Sequence, residues 1–346
     1  MNNVVSISGL IVCAVVLVVG FVSETTAQPK FTSHLSTDYN LGETEYILDV
    51  SGFDSLGQPL RIKSQLEYPL DVFMLGGGVS VVWDPQNPLP WDSKIGVSFN
   101  LNDPGGAMAD RDWTNEWQGV RLNEFTEVSS TESSAEMNSV TAFAEFGKTV
   151  VANPGLQVRL FAGYRYQRID QELYGLEGWQ LSRVVGTDSL RLLEFDIEDI
   201  KGLTYEVTFH MPHAGLEATL PFGGSVALSG KAAYAPVIAS DKDEHLLRNF
   251  QTQADITGHG VIGGAVLRFF PEGPGSGKPF IALTGSFTYL TASGTKTQTW
   301  YGNEIGRDPD TGEEIIVVEA GTRISGIPHD INSTQGQIGI ELGVGL

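Results

Sequence analysis

Two short runs carry the side chains of this chain that could do chemistry. One is Asp241-Lys242-Asp243-Glu244-His245; the other is Met108-Ala109-Asp110-Arg111-Asp112-Trp113. Carboxylates and an imidazole take up and release protons, so such a set suits acid–base work. Each group needs an element to aim it. The stretch Val226 to Tyr234 alternates as a β-strand does, and residues i, i+2 and i+4 of a strand share a face. Counted forward, Asp241, Asp243 and His245 fall on the parity of Ala227, Ser229, Lys231 and Ala233. Provided the strand keeps its phase through Pro236, two carboxylates and an imidazole line up on one face. Asp110 and Asp112 stand two apart and face the same way in extended chain.

Alternation with period two recurs along the whole chain. It runs through Leu156 to Tyr166, Leu203 to Met211, Ile281 to Tyr289, Ile95 to Leu101 and Ile338 to Leu346. These read as strands with one apolar and one polar face. Many run past the usual length of about 5–6 residues. Short turns carrying Pro or Gly, at Asn153-Pro154-Gly155, Phe222-Gly223-Gly224 and Pro271 to Pro279, alternate with long polar stretches near 103–135, 171–201, 241–250 and 300–330. Short connections at one end and long loops at the other describe an outer-membrane barrel. The expectation is an all-β, ten-stranded antiparallel transmembrane β-barrel with long extracellular loops. Met211-Pro212-His213 and Gly76-Gly77-Gly78 read as bulges in its wall.

Composition narrows the partners. The chain has 346 residues and a formal net charge of −21. That balance argues against nucleic acid and favours cationic ligands. Residues 1–27 read as a secretory signal ending at Ala27, with a retained membrane anchor as the alternative. One domain then spans 29–346. The single cysteine, Cys13, lies in that leader, so the mature chain has no thiol for a disulfide, thiolate catalysis or a Cys-ligated zinc.

At these motifs the sequence resembles a known family. Met108 to Trp113 resembles the Asp-x-Asp-Trp motif of the omptins, the outer-membrane endopeptidases, and Asp241-x-Asp243-Glu244-His245 is similar to their second motif. Ser64-Gln65-Leu66-Glu67-Tyr68, Gly163-Tyr164 and Phe209-x-Met211-Pro212 also match in order, so the likeness runs from about residue 40 to the end. The resemblance implies an aspartyl/histidine protease in the cell outer membrane of a Gram-negative cell, with its active site facing the exterior. His245 would take a proton from a water that attacks the scissile carbonyl. Asp243 would orient His245, and Asp110 and Asp112 would help to place the water. A proton shared by that pair could serve the developing oxyanion, and which of the two holds it is left open.

Substrate and lipid contacts follow from the same resemblance. Omptins cut between basic residues, and Asp241 and Glu45 match the acids at the base of the first pocket, with a one-residue slip in register open at Glu45. Tyr164 and Arg168 match the outer lipopolysaccharide-binding patch, while Tyr166 and Thr208 depart from it, as does the terminal Leu346. No cofactor or metal is implied, although lipopolysaccharide itself is a candidate requirement for activity. The expected partners are cationic peptides and outer-membrane lipid, with the chain acting as a monomer. An inactive barrel serving as adhesin or receptor, a passive pore plugged by Arg159, Arg165, Glu206 and Lys231, and a soluble secreted β-protein are the alternatives. The run Asp308 to Glu314 lacks the spacing of a calcium loop and reads as a solvated turn. His34, His210, His213, His259 and His329 read as structural or surface residues.

Overall fold

The computed structural model describes residues 28–53, 57–275, 277–308 and 311–345. The expected leader with Cys13, the terminal Leu346, and Pro309 and Asp310 of the acidic turn lie outside them. The described residues form fourteen strands. They are β1 (Lys30–Phe53), β2 (Pro59–Pro69), β3 (Val72–Val82), β4 (Trp91–Asn100), β5 (Ala107–Trp117), β6 (Val120–Asn153) and β7 (Leu156–Arg183) in the first half. The second half contributes β8 (Leu190–Phe222), β9 (Val226–His245), β10 (Phe250–Phe269), β11 (Pro279–Trp300), β12 (Glu304–Arg307), β13 (Glu314–Val318) and β14 (Arg323–Gly345). Antiparallel pairing runs from β6 through β7, β8, β9, β10 and β11 to β14, and β14 pairs with β1.

The expected ten describes the ring and not the strand count. Lys30 to Asn40 of β1 pair with β3, whereas Glu43 to Phe53 pair with β2. In the same way Trp91 to Phe99 of β4 and Ala107 to Trp117 of β5 pair with successive parts of β6. So β2 and β3 are two halves of one descending wall, and β4 and β5 two halves of one ascending wall. A ring of ten closes at either level, and the small β12–β13 hairpin stands apart from it.

The breaks have local causes. At Gly42 the backbone turns to φ +122°, and a Cβ there would run into the Thr334 carbonyl, so only glycine fits. Its N–H reaches Asp71 Oδ1 at 3.3 Å, just where the second wall breaks. In the third wall Pro104 interrupts the backbone donors, and side chains stand in for the ladder. Asn102 Oδ1 accepts from the Phe73 N–H at 2.7 Å, and Asp103 Oδ1 accepts from the Met137 N–H at 2.9 Å.

Three of the expected local features take another form. The four long polar stretches are largely strand: β7 continues to Arg183, β8 begins at Leu190, and only four residues separate β9 from β10. The outward positions of these upper segments are polar, as Ser240, Lys242, Gln251, Gln253 and Asp255 show. Alternation therefore fades from the sequence while the ladder goes on. Met211-Pro212-His213 and Gly76-Gly77-Gly78 are not bulges, because the pairing on both runs in unbroken register. A register shift does occur between Asp112 and Trp113, beside the first acidic motif.

The outer wall carries an apolar band. Leu228, Tyr234 and Ile238 of β9, Val261 and Leu267 of β10, Ile281, Leu283 and Phe287 of β11, and Ile338 and Ile340 of β14 are all exposed. The opposite parity fills the interior. Low in the barrel Arg159 lies 2.7 Å from Asp92 and 3.2 Å from both Glu145 and Glu217. Lys94 meets Glu217 at 2.7 Å and Lys231 meets Glu145 at 3.3 Å. Arg159 and Lys231 thus cross the lumen as expected. Arg165 crosses it too, reaching Thr288 of β11 at 3.0 Å rather than a carboxylate, whereas Glu206 lies on the outer wall with Arg168. Above the charges an apolar layer, including Val72, Met74, Met137, Phe209, Met211 and Leu290, forms a floor beneath the upper cleft.

Candidate active site

The upper cleft is built from strand parity. On β9 the odd positions stay inward through Pro236, because the β9–β10 register runs unbroken from Val226 to His245. That phase buries Asp241 and Asp243, the latter to 1% exposure, and brings His245 to the cleft's edge. On β5 the inward positions hold Asp110 and Asp112, which lie on the rungs of Leu66 and Ser64 of β2. Both motifs therefore sit on strands and not on loops, which fixes their aim more tightly.

Around the upper ring β6, β7 and β8 separate β5 from β9, so the two motifs face each other from nearly opposite walls. Burial raises the Asp110 carboxyl well above the ordinary carboxylate range, and the charges of Asp112 and then Asp243 raise it further. Burial also raises Asp112, against a bond from Ser64 and the positive fields of Arg248 and His245. Asp110 thus senses Asp243 across the mouth, and Asp112 senses His245. The four sequence-expected catalytic residues share one electrostatic site.

His245 is held on two sides. Its Nε2 lies 2.9 Å from Asp243 Oδ2, so Nδ1 faces away from that bond. The imidazole stacks on Phe250 at 4.3 Å between centroids, and Phe250 rests in turn against Trp300 at 5.5 Å. Asp243 Oδ1 and Asp110 Oδ1 are both buried without a hydrogen-bond partner. Two unpaired acceptors in a buried acidic cleft form a ready seat for a water molecule.

The second half of the cleft surrounds Asp241. Its Oδ2 accepts from Nε2 of the buried His329 at 3.0 Å. The His329 ring packs 4.3 Å from that of Tyr46, whose hydroxyl meets Thr252 Oγ1 at 3.4 Å and the ammonium of Lys296. Tyr68 and Tyr205, stacked at 4.0 Å, complete this side.

Glu45 does not join Asp241. Its side chain lies on the outer wall, where the Gln65 amide donates to Glu45 at 3.1 Å and to Glu67 at 3.0 Å. Tyr46, one residue on, takes the inward place, since a shift of one residue reverses the face. Tyr164 and Arg168 share the outer face of β7, as expected. Tyr164 bonds His210, and the Arg168 guanidinium is paired with Asp170 and Glu206, each at 3.0 Å.

His329, Lys296, Tyr46 and Phe250 were missed from the sequence. A signal for three of them existed. Counting parity from the exposed Ile338, Ile281 and Leu35 turns His329, Lys296 and Tyr46 inward. Phe250 is visible only as the rung partner of His245.

With this geometry in place, the comparisons with known proteins decide the family. The Omptin family model matches residues 61–302. The chain belongs to the omptin family. Membership puts this omptin among outer-membrane proteases. Its fold is similar to the crystal structure of the outer membrane protease OmpT from Escherichia coli, with TM-score 0.66 and 14% identity over 94% of this chain and 100% of that one. The P. putida toluene transporter TodX aligns over 92% of the chain and 91% of its own, at 10% identity and TM-score 0.26, a score too low to bear on the fold. No curated protein sequence matches this omptin.

Proposed function

We propose that the chain is an outer-membrane endopeptidase that hydrolyses peptide bonds with a water held between Asp110/Asp112 and the Asp243–His245 pair. The exposed apolar band would lie in the bilayer, with the acidic cleft above it on the cell exterior. The ring closes within one chain, which suits a monomer. The observation that carries the reading is the Asp243–His245 bond of 2.9 Å facing a carboxyl kept toward its protonated form.

The chemistry balances with these residues alone. His245 takes a proton from the water, and the hydroxide so formed attacks the scissile carbonyl. Asp243 stabilises the imidazolium, being a carboxylate in direct contact with it. A proton held by the Asp110/Asp112 pair is donated to the developing oxyanion, and it returns to the pair as the tetrahedral intermediate collapses. The imidazolium proton passes to the leaving amine as the C–N bond breaks.

Cationic peptides are the proposed substrates, drawn to a mouth that collects Asp110, Asp112, Asp241 and Asp243. The expected preference for Arg and Lys at the bond rested on Asp241 and Glu45 together, and Asp241 alone lies inside. Lipopolysaccharide is proposed to lie against Tyr164 on the outer wall. Arg168 belongs to the same face, with its charge shared by two carboxylates. A passive pore is disfavoured by the lumen charges bound to one another below the cleft.

The test is hydrolysis of fluorogenic peptides by refolded protein, with and without rough lipopolysaccharide. His245→Ala should lower the rate by about a thousandfold or more, the scale of a lost general base, while keeping heat-modifiable gel mobility. Unchanged turnover in that variant would remove the mechanism, whereas no hydrolysis by folded wild type would leave the receptor reading in its place.

A further inference from the structure

The proposed general base stands at the very end of its strand and depends on what lies behind it. His245, Phe250 and Trp300 occupy one rung across β9, β10 and β11. The bond to Asp243 fixes one ring nitrogen of His245, and a single bond of this kind does not fix the plane of the ring. That plane is set by the buried Phe250, 4.3 Å away and 27° from parallel. Just beyond the rung stands Glu304, the first residue of β12. Its Oε2 accepts from the Trp300 indole N–H at 2.8 Å, and its Oε1 accepts from the Arg248 Nε–H at 2.7 Å. The Arg248 guanidinium lies 4.9 Å from the centre of the Phe250 ring. One carboxylate thus ties down two side chains that bear on Phe250. The backbone joins the same contact: the Asn249 carbonyl accepts from the Tyr301 N–H at 3.0 Å, and the Asn249 amide donates to the Asn303 carbonyl at 3.0 Å.

From this arrangement we propose that Glu304 is a positioning residue for hydrolysis, which holds Trp300 and Arg248 against Phe250 and so fixes the plane of the His245 imidazole. The inference rests on the endopeptidase reading above and adds to its machinery a residue that lies in neither acidic motif. The role asks for a carboxylate. Two donors meet its two oxygens, and a carboxamide in its place has one acceptor oxygen to offer them. A bland reading would make Glu304 and Arg248 a surface ion pair. The Arg248 side chain is 57% exposed, and a pair so open to water contributes little to stability. Its worth is then geometric, since a misplacement of about 1 Å in a reacting group costs on the order of a hundredfold in rate. Arg248 also sets a positive charge near Asp110 and Asp112. That second route to the site runs through the acids and not through the ring.

The test uses the full refolded chain in lipopolysaccharide-containing micelles, with a fluorogenic peptide carrying a basic residue at the scissile bond. Glu304→Gln should lower kcat by about tenfold while KM stays within about twofold, because Asp241 and His329 on the pocket side are untouched. Phe250→Leu removes the stacking ring and should lower kcat as well. The double variant should lose far less than the product of the two single losses, as residues acting through one another do. Heat-modifiable gel mobility reads the folding of each variant. An unchanged kcat in folded Glu304→Gln, a loss confined to KM, or a double variant that matches the product overturns the role and leaves the protease reading standing. Should Glu304→Gln not fold, Trp300→Phe removes the same indole donor and is judged by the same three measures. No hydrolysis by folded wild type sinks the protease reading, and the inference falls with it.

Discussion

Two charge clusters lie inside one barrel, and they are built on opposite plans. In the lower one Arg159, Lys94 and Lys231 face Asp92, Glu145 and Glu217, and each cation has a carboxylate within 3.3 Å. In the upper one Asp110, Asp112, Asp241 and Asp243 outnumber the positive groups that act on them, Lys296, Arg248 and His245. Three of those acids keep a buried oxygen without a partner. A cluster whose charges cancel holds walls together. One left with surplus acid stores unfavourable energy that only a bound water or ligand relieves.

The contrast can be broken at its strong end first. Arg159→Met should destabilise the barrel by about 3 kcal/mol, because it strands three carboxylates in a closed lumen. The turnover of the folded fraction should stay near wild type. Midpoints of the heat-modifiable gel shift, measured beside peptide hydrolysis, check both halves, and a loss of turnover in folded protein would merge the two clusters into one functional unit.

Asp110→Asn should do the reverse, raising stability by roughly 1 kcal/mol while slowing hydrolysis, as relief of active-site strain does. The folded-state pKa of Asp110 lies above its unfolded value. The stability linked to this group is therefore full below the ordinary carboxylate range and is lost as pH rises through the raised value. The gap between variant and wild type should accordingly widen as pH rises from the ordinary carboxylate range. A gap that stays flat would mean that Asp110 is ionised at no cost.

Smallest is Glu45→Gln, on the outer wall among Gln65 and Glu67. Surface changes of this kind stay within about 0.5 kcal/mol, so hydrolysis should change less than roughly twofold for basic and neutral peptides alike. A large loss confined to basic peptides would return Glu45 to the pocket.

How much of this the sequence disclosed depends on how local each cause is. Asp241, Asp243 and His245 were legible because three residues on one strand need only parity. Asp110 and Asp112 were legible for the same reason, and the ring of ten followed from apolar alternation in the band. The upper strands read as loops, since polar residues on both faces erase the period while backbone pairing continues. Glu45 in place of Tyr46 was an error of one residue, and one residue is a whole face in a strand. Lys296 and His329 carry no local mark beyond their inward parity. They matter because β11 and β14 come round to face β1, a closure in which Thr44 meets Ser333 at 2.9 Å across 289 residues.

That closure times the appearance of the pocket. Tyr46 belongs to the first strand and His329 to the last, and they touch only where the two ends of the sheet zip together. On the proposed function, a nascent chain with its final strand undocked holds Asp243 and His245 side by side yet lacks the His329 that seats Asp241. Completion of the cylinder is what arms it.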